Sequence, residues 1–262
     1  MKRKTGKAYF NDLWEHMSAN LDAFVKEGDQ EKLHQFRVHV KKIRAFLLLV
    51  DEALSQNALS KQFKPVKKIF KQGGKIREAF INLQMGAHYE LNNEDFNLKQ
   101  VNEMDSEILL FKKSAKKNFK TIRQVHDDLE GNLLDIENNR INEFYQNQLG
   151  QIAVTLDKHE FNEELHECRK RIKTLVYNRK IAGKALNGNL NLNNDYLDKL
   201  QDSIGNWHDN IVAIELFSAP ELNVKPVITR IRRQNTRLRK SINELSKDFF
   251  VRATFKNDTE QH

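Results

Sequence analysis

Apolar residues recur at intervals of three and four along most of the chain. Phe36, Val40, Ile43, Leu47 and Val50 form one such series, and Ile228, Ile231, Leu238, Ile242 and Leu245 form another. Ala115, Phe119 and Ile122 repeat the spacing in the middle. At about 3.6 residues per turn each set falls on one side of a helix. No alternating run is long enough to suggest a strand. Pro65, Pro220 and Pro226 stand where the period breaks, and 10 Gly with 3 Pro in 262 residues leave few other interruptions. The pattern predicts an all-α protein of about eight helices joined by short Asn- or Gly-bearing turns. The longest uninterrupted apolar run, Ala45 to Val50, is far short of the roughly 20 residues that span a bilayer. Met1-Lys2-Arg3-Lys4 is followed by polar residues between Tyr9 and Met17 rather than by the apolar segment of a signal peptide. Cys168 is the single cysteine, so no internal disulfide forms. These features set the expectation of a cytoplasmic protein without membrane partners.

The pattern also repeats. KLHQFRVHVKKI at 32–43 aligns with ELHECRKRIKTL at 164–175, placing His34 on His166, Arg37 on Arg169, Val40 on Ile172 and Lys41 on Lys173. GGKIREAF at 73–80 aligns with IGNWHDNI at 204–211, placing Gly74 on Gly205 and Glu78 on Asp209. The offset is close to half the chain, the mark of an internal duplication. The expected organisation is two tandem four-helix bundles, residues 1–132 and 133–262.

Charge sharpens this picture. The chain carries 44 Lys+Arg against 36 Asp+Glu, a net +8, but the cations are concentrated. Residues 61–77, 112–123 and 225–240 hold seven, six and seven Lys/Arg with no acid. Helical phase gathers the cations into stripes: His34, Arg37, Lys41 and Arg44, with Lys42 beside them; Lys64, Lys68, Lys71 and Lys75; Lys116, Lys120 and Arg123; His166, Arg169 and Lys173, with Lys170 beside them; and Arg230, Arg233, Arg237 and Lys240. A charge run is ordinarily a solvated helix face, yet such faces mix Glu with Lys. Like charges at this spacing cost a helix a few tenths of a kcal/mol per pair. Five stripes together imply a compensating polyanion.

LHQFRVHVKKIR and LHECRKRIKTLVY resemble the signature of the CHAD family, the conserved histidine α-helical domain, which has two blocks opening with His-x-x-Arg. The glycine elements Gly73 to Glu78 and Leu200 to Asp209 fall where that family has its downstream motifs. The resemblance implies two four-helix bundles related by a pseudo-twofold, with basic helices around a central groove or cavity. It implies binding of inorganic polyphosphate, in some members at polyphosphate granules, and a stand-alone member without the triphosphate-tunnel (CYTH) enzyme domain that often accompanies the family. Glu78 replaces the usual Asp and is expected to pair with Arg77. Val176 stands where the second block commonly has Arg, and His39 and Arg171 occupy equivalent positions, so unequal halves are expected. A bare phosphate chain offers only negative charge, so affinity should come from many Lys/Arg contacts and fall with salt. His34 and His166 would contribute best as imidazolium, near or below pH 6.5.

Three rivals remain. A metal is disfavoured because Arg37, Lys41, Arg169, Lys170 and Lys173 surround the paired histidines, and spacings such as His159 to His166 are weak ligand motifs. These histidines could instead be helix-packing donors to backbone or carboxylate, which is compatible with phosphate binding nearby. Catalysis is not expected: no phosphate loop or His-Glu-x-x-His appears. Cys168 sits at the phase of core-facing Phe36, and Glu78 and Asp209 serve more simply as helix-holding ion pairs. Nucleic acid is the alternative polyanion, but Phe63, Phe70 and Phe119 fall at core phases, leaving Tyr177 for base stacking. No cofactor is expected, and oligomeric state stays open. Trp14, Trp207 and the tail 257–262 carry no functional signal; the tail is expected to fray.

Overall fold

A computed structural model describes residues 1–158, 160–222 and 224–254; the tail 257–262 lies outside them. The described residues form eleven α-helices, one short 3-10 turn (Pro220–Leu222) and no strand. In chain order the helices are α1 (Arg3–Glu27), α2 (Gln30–Ala53), α3 (Ala58–Gln62), α4 (Lys64–His88), α5 (Glu94–Lys113), α6 (Ala115–Gly131), α7 (Asn138–Asp157), α8 (Glu163–Ala185), α9 (Asn194–Phe217), α10 (Lys225–Ser246) and α11 (Phe249–Thr254). The chain is thus all-α, with more helices than the apolar period predicts.

Local chemistry fixes the ends. The Asp29 carboxylate accepts from the Glu31 amide at 2.7 Å, opening α2, and Asn93, Asn162 and Asn193 do the same for α5, α8 and α9. Gly28, at φ 78°, closes α1 by donating to the Phe24 carbonyl. Pro65 and Pro226 sit in the first turns of α4 and α10, where a missing N–H is harmless. Two helices were not legible. α5 buries only Phe96, Gln100 and Phe111 and exposes Leu98, Val101, Leu109 and Leu110, so it shows no clean apolar period. The five-residue α3 exists because buried Asp51 accepts from the amides of Leu59 (3.1 Å) and Ser60 (2.8 Å).

The helices divide into two compact units, Met1–Glu137 and Asn138–His262. The division falls later than residue 132 because residues 133–136 run beside the N-terminus. There Ile136 donates to the Met1 carbonyl at 2.9 Å, Arg3 donates to Asp135, and Leu133 and Ile136 are buried. In the first unit α2 packs between α1 and α4, α4 packs on α5, and α6 packs on α1 and α4. Phe36, Val40, Ile43, Leu47 and Val50 are all buried, each large side chain contributing about 1.5–3 kcal/mol. In the second unit α8 and α10 each pack on α7 and α9, with α11 against α7 and α9. Ile231, Ile242 and Leu245 are buried there, while Ile228 and Leu238 are half-buried.

Candidate functional site

In the first unit, α2 and α4 meet along a seam fixed by Arg37. Its guanidinium donates to the Phe70 carbonyl at 2.5 Å and lies over the Phe70 ring at 4.0 Å. It can do so because Gly74 has no side chain: a Cβ there would come 2.9 Å from the Arg37 Nη1. Burial, then the nearby Arg77, pushes the Arg37 guanidinium down to about 10. Arg77 donates to the Gln30 carbonyl at 3.4 Å and stacks on Phe80, so it does not pair with Glu78; neighbouring residues on a helix point about 100° apart.

Further along the seam lie Arg44 of α2 and Lys64, Lys67 and Lys71 of α4. Lys67 is half-buried, and its ammonium is held below the usual lysine range by burial and then by Arg44, Lys64 and Lys71. Every charged group acting on it is a cation. Among the described residues no carboxylate ion-pairs with any of these four side chains. The start of α4 brings no neutralising group: it has no side-chain cap and no acid in its first turn.

In the second unit, the α8–α9 seam has the same frame but different electrostatics. Arg169 Nε donates to the Gln201 carbonyl at 2.9 Å, and a Cβ on Gly205 would come 2.6 Å from its Nη2. Lys173 donates to the Gln201 side chain at 3.3 Å and lies 5.4 Å over the Tyr177 ring. Burial and Arg169 lower its pKa, but Asp202, Asp198 and Asp209 oppose them. Arg179 pairs with Asp198 at 3.0 Å, and Lys170 pairs with Glu167 at 2.5 Å and Glu163 at 3.8 Å.

The histidines differ from the sequence expectation. His166 is pushed down to about 4, chiefly by burial and then by His208, whose ring stacks on it at 3.9 Å. Its Nδ1 is buried without a hydrogen-bond partner among the described residues. His34 is also lowered, by burial and then Arg77. Desolvation therefore disfavours the imidazolium form of both rings.

The other predicted residues scatter. Lys42 lies about 100° round α2 from Lys41, on the side of His39. Lys68 is exposed, and Lys75 is engaged by Glu107 of α5 at 2.9 Å. Lys116 and Lys120 are exposed on α6, while Arg123 lines a groove of about 400 Å³ between α1 and α6 with Asn11, Trp14, Phe119 and His126. Arg230, Arg233, Arg237 and Lys240 occupy the side of α10 opposite its buried Ile231, Asn235 and Ile242. Lys41 and Arg37 remain on the α2 side of the seam. Lys67 was missed by the sequence reading; its signal was its place two turns before Gly74, on the α4 face turned to α2.

Cys168 is buried, with its thiol pushed up to about 12, as expected of a core cysteine. Phe63 is buried, whereas Phe70 and Phe119 are half-buried. Asp209 approaches His208 Nδ1 at 4.0 Å. No group of three or more His, Cys, Asp or Glu among the described residues is placed to hold a metal, and His159 lies outside those residues. No described helix is long and apolar enough to cross a membrane.

No curated protein matches the chain in a sequence comparison. A family description does match, over residues 8–218, which takes in both Arg-glycine seams and excludes the α10 stripe. Matched over most of its length and all-α throughout the described residues, the chain belongs to the CHAD domain family.

Proposed function

We propose that this chain binds inorganic polyphosphate without catalysis. One observation carries the reading: Lys67 sits half-buried with Arg44, Lys64 and Lys71 acting on it and no carboxylate partner among the described residues. Such a cluster raises the free energy of the fold unless an anion occupies it. A phosphate chain suits the seam because its charges are closely spaced and it has no base or sugar to accommodate. Rigid helices reduce the ordering cost of many such contacts. Arg37 acts mainly as the clamp that sets the α2–α4 spacing.

The two units are read as duplicated halves. Arg37 with Phe70 and Gly74, and Arg169 with Gln201 and Gly205, support this: each Arg donates to a carbonyl four residues before a glycine that makes room for it. The first half keeps the additional long helix α6.

The test is competition binding of labelled long-chain polyphosphate against double-stranded DNA, single-stranded DNA and ATP at about 50 and 200 mM salt, a span over which multi-phosphate contacts separate by orders of magnitude. Polyphosphate should outcompete both DNAs at the higher salt. Equal displacement by every polyanion would instead make the stripes a general anionic-polymer surface, with nucleic acid the alternative ligand.

A further inference from the structure

The two seams share a frame but not a charge. Arg44, Lys64, Lys67 and Lys71 of the first unit correspond, at the offsets that align the two glycines and the two arginines, to Val176, Asp195, Asp198 and Asp202 of the second. Four cations become one neutral residue and three acids. The helix starts differ in the same sense. α9 opens with the Asn193 side chain on the Tyr196 amide and with Asp195 in its first turn, whereas α4 opens with neither. The inversion alters the surroundings of the cations in each seam. Lys173 lies among Asp198, Asp202 and Asp209, and Arg179 is bridged to Asp198, while Lys67 lies among cations alone.

We infer that the polyanion is captured on one side of the duplication only, by the α2–α4 seam, and that the α8–α9 seam is an internally neutralised helix clamp. This rests on the reading of polyphosphate binding above. The physical reason is direct. An anion entering the first seam removes repulsion between unpaired cations. One entering the second must compete with the Asp198 carboxylate paired to Arg179, and is itself repelled by the Asp198, Asp202 and Asp209 carboxylates that act on Lys173. Asp198 and Asp202 sit on α9, one helix away from Arg179 and Lys173, so these two cations look available along α8 alone and are not.

Lysine footprinting on the full chain tests this without altering it. The chain is treated with an amine-reactive label with and without long-chain polyphosphate, and labelling at each lysine is read by mass spectrometry. At about ten times the Kd, Lys64, Lys67 and Lys71 should be protected roughly tenfold, while Lys170, Lys173 and Lys180 should change less than about twofold. Comparable protection in both units would overturn the one-sided assignment while leaving polyphosphate binding intact. No protection anywhere would overturn the functional reading and this assignment with it. A second arm uses Asp198→Asn with Asp202→Asn, nearly isosteric changes that uncover Lys173 and Arg179. Protection should then extend to Lys173; if helicity is retained and it does not, the carboxylates are not what excludes the ligand.

Discussion

Replacing Lys67 with Met should stabilise the free protein and weaken its hold on polyphosphate. Met keeps the length and apolar stem of Lys and matches it in helix propensity, so the change removes little besides the ammonium. Three cations act on that ammonium, at a few tenths of a kcal/mol each by the helix-surface scale, and it is also partly desolvated. Removing it should therefore raise the unfolding free energy by about 1 kcal/mol at low salt, or about 2 °C in Tm for a chain of this size. Repulsion is screened, so the gain should shrink by about half or more near 0.5 M salt, where the Debye length is only about 4–5 Å. The pH dependence has a defined sign. A lysine whose folded pKa lies below its unfolded value destabilises while protonated in both states. The penalty is therefore relieved as pH rises through the folded value towards 10.5, and the gap between Lys67→Met and the unaltered chain should narrow there. Urea unfolding followed by circular dichroism, with Lys99→Met on exposed α5 as a control expected within about 0.5 kcal/mol, makes the comparison. A Lys67→Met protein that is less stable at low salt, or equally stable at every salt, would refute the view that this site is held under repulsion.

Other consequences can be checked alongside it. Gly205→Ala should push Arg169 off the Gln201 carbonyl; the lost charge-assisted bond, about 1.5–3 kcal/mol, outweighs the roughly 1 kcal/mol helix-propensity gain, for a net loss near 1 kcal/mol in thermal unfolding. Gly150→Ala, with nothing within 4 Å of the added Cβ, should instead stabilise α7 by about 0.5–1 kcal/mol, and the two opposite signs in one assay test the notch argument. Asp51→Ala leaves the Leu59 and Ser60 amides without their acceptor and should cost about 2–3 kcal/mol, with hydrogen exchange accelerated first in α3. His166, pushed down to about 4 in the folded chain against 6.5 unfolded, contributes stability that is full above pH 6.5 and lost as pH falls towards 4; His166→Gln should flatten that part of the pH–stability curve.

Much of the helical framework is legible in the sequence because the α2 and α8 faces combine strict apolar spacing with an opposite cation stripe. Phe36, Val40, Ile43 and Cys168, Ile172, Leu175 are buried as that spacing requires. α5 escapes because its apolar residues are split between core and solvent, and α3 because a single long-range carboxylate holds it. The site is only half legible for a similar reason. Stripes can be drawn along one helix, but whether a cation stays uncompensated depends on the helix beside it. Glu107 takes Lys75, and Asp198 and Asp202 face Lys173, all from segments distant in sequence. Lys67 stands outside the Lys64, Lys68, Lys71 and Lys75 stripe, and only packing, which turns the Lys67 and Gly74 side of α4 towards α2, singles it out. The matched glycines were visible, but the guanidinium that lies over each one was not.

The most direct test of the central claim is the salt dependence of polyphosphate affinity in the unaltered chain and in Lys64→Met/Lys67→Met/Lys71→Met. A flexible phosphate chain held by four to six cations should give a slope of log affinity against log salt of about −3 to −4, and removing three contacts should reduce its magnitude by about 2. That reduction should come together with weaker binding and undiminished helicity. An unchanged slope and affinity would place the ligand elsewhere and contradict it.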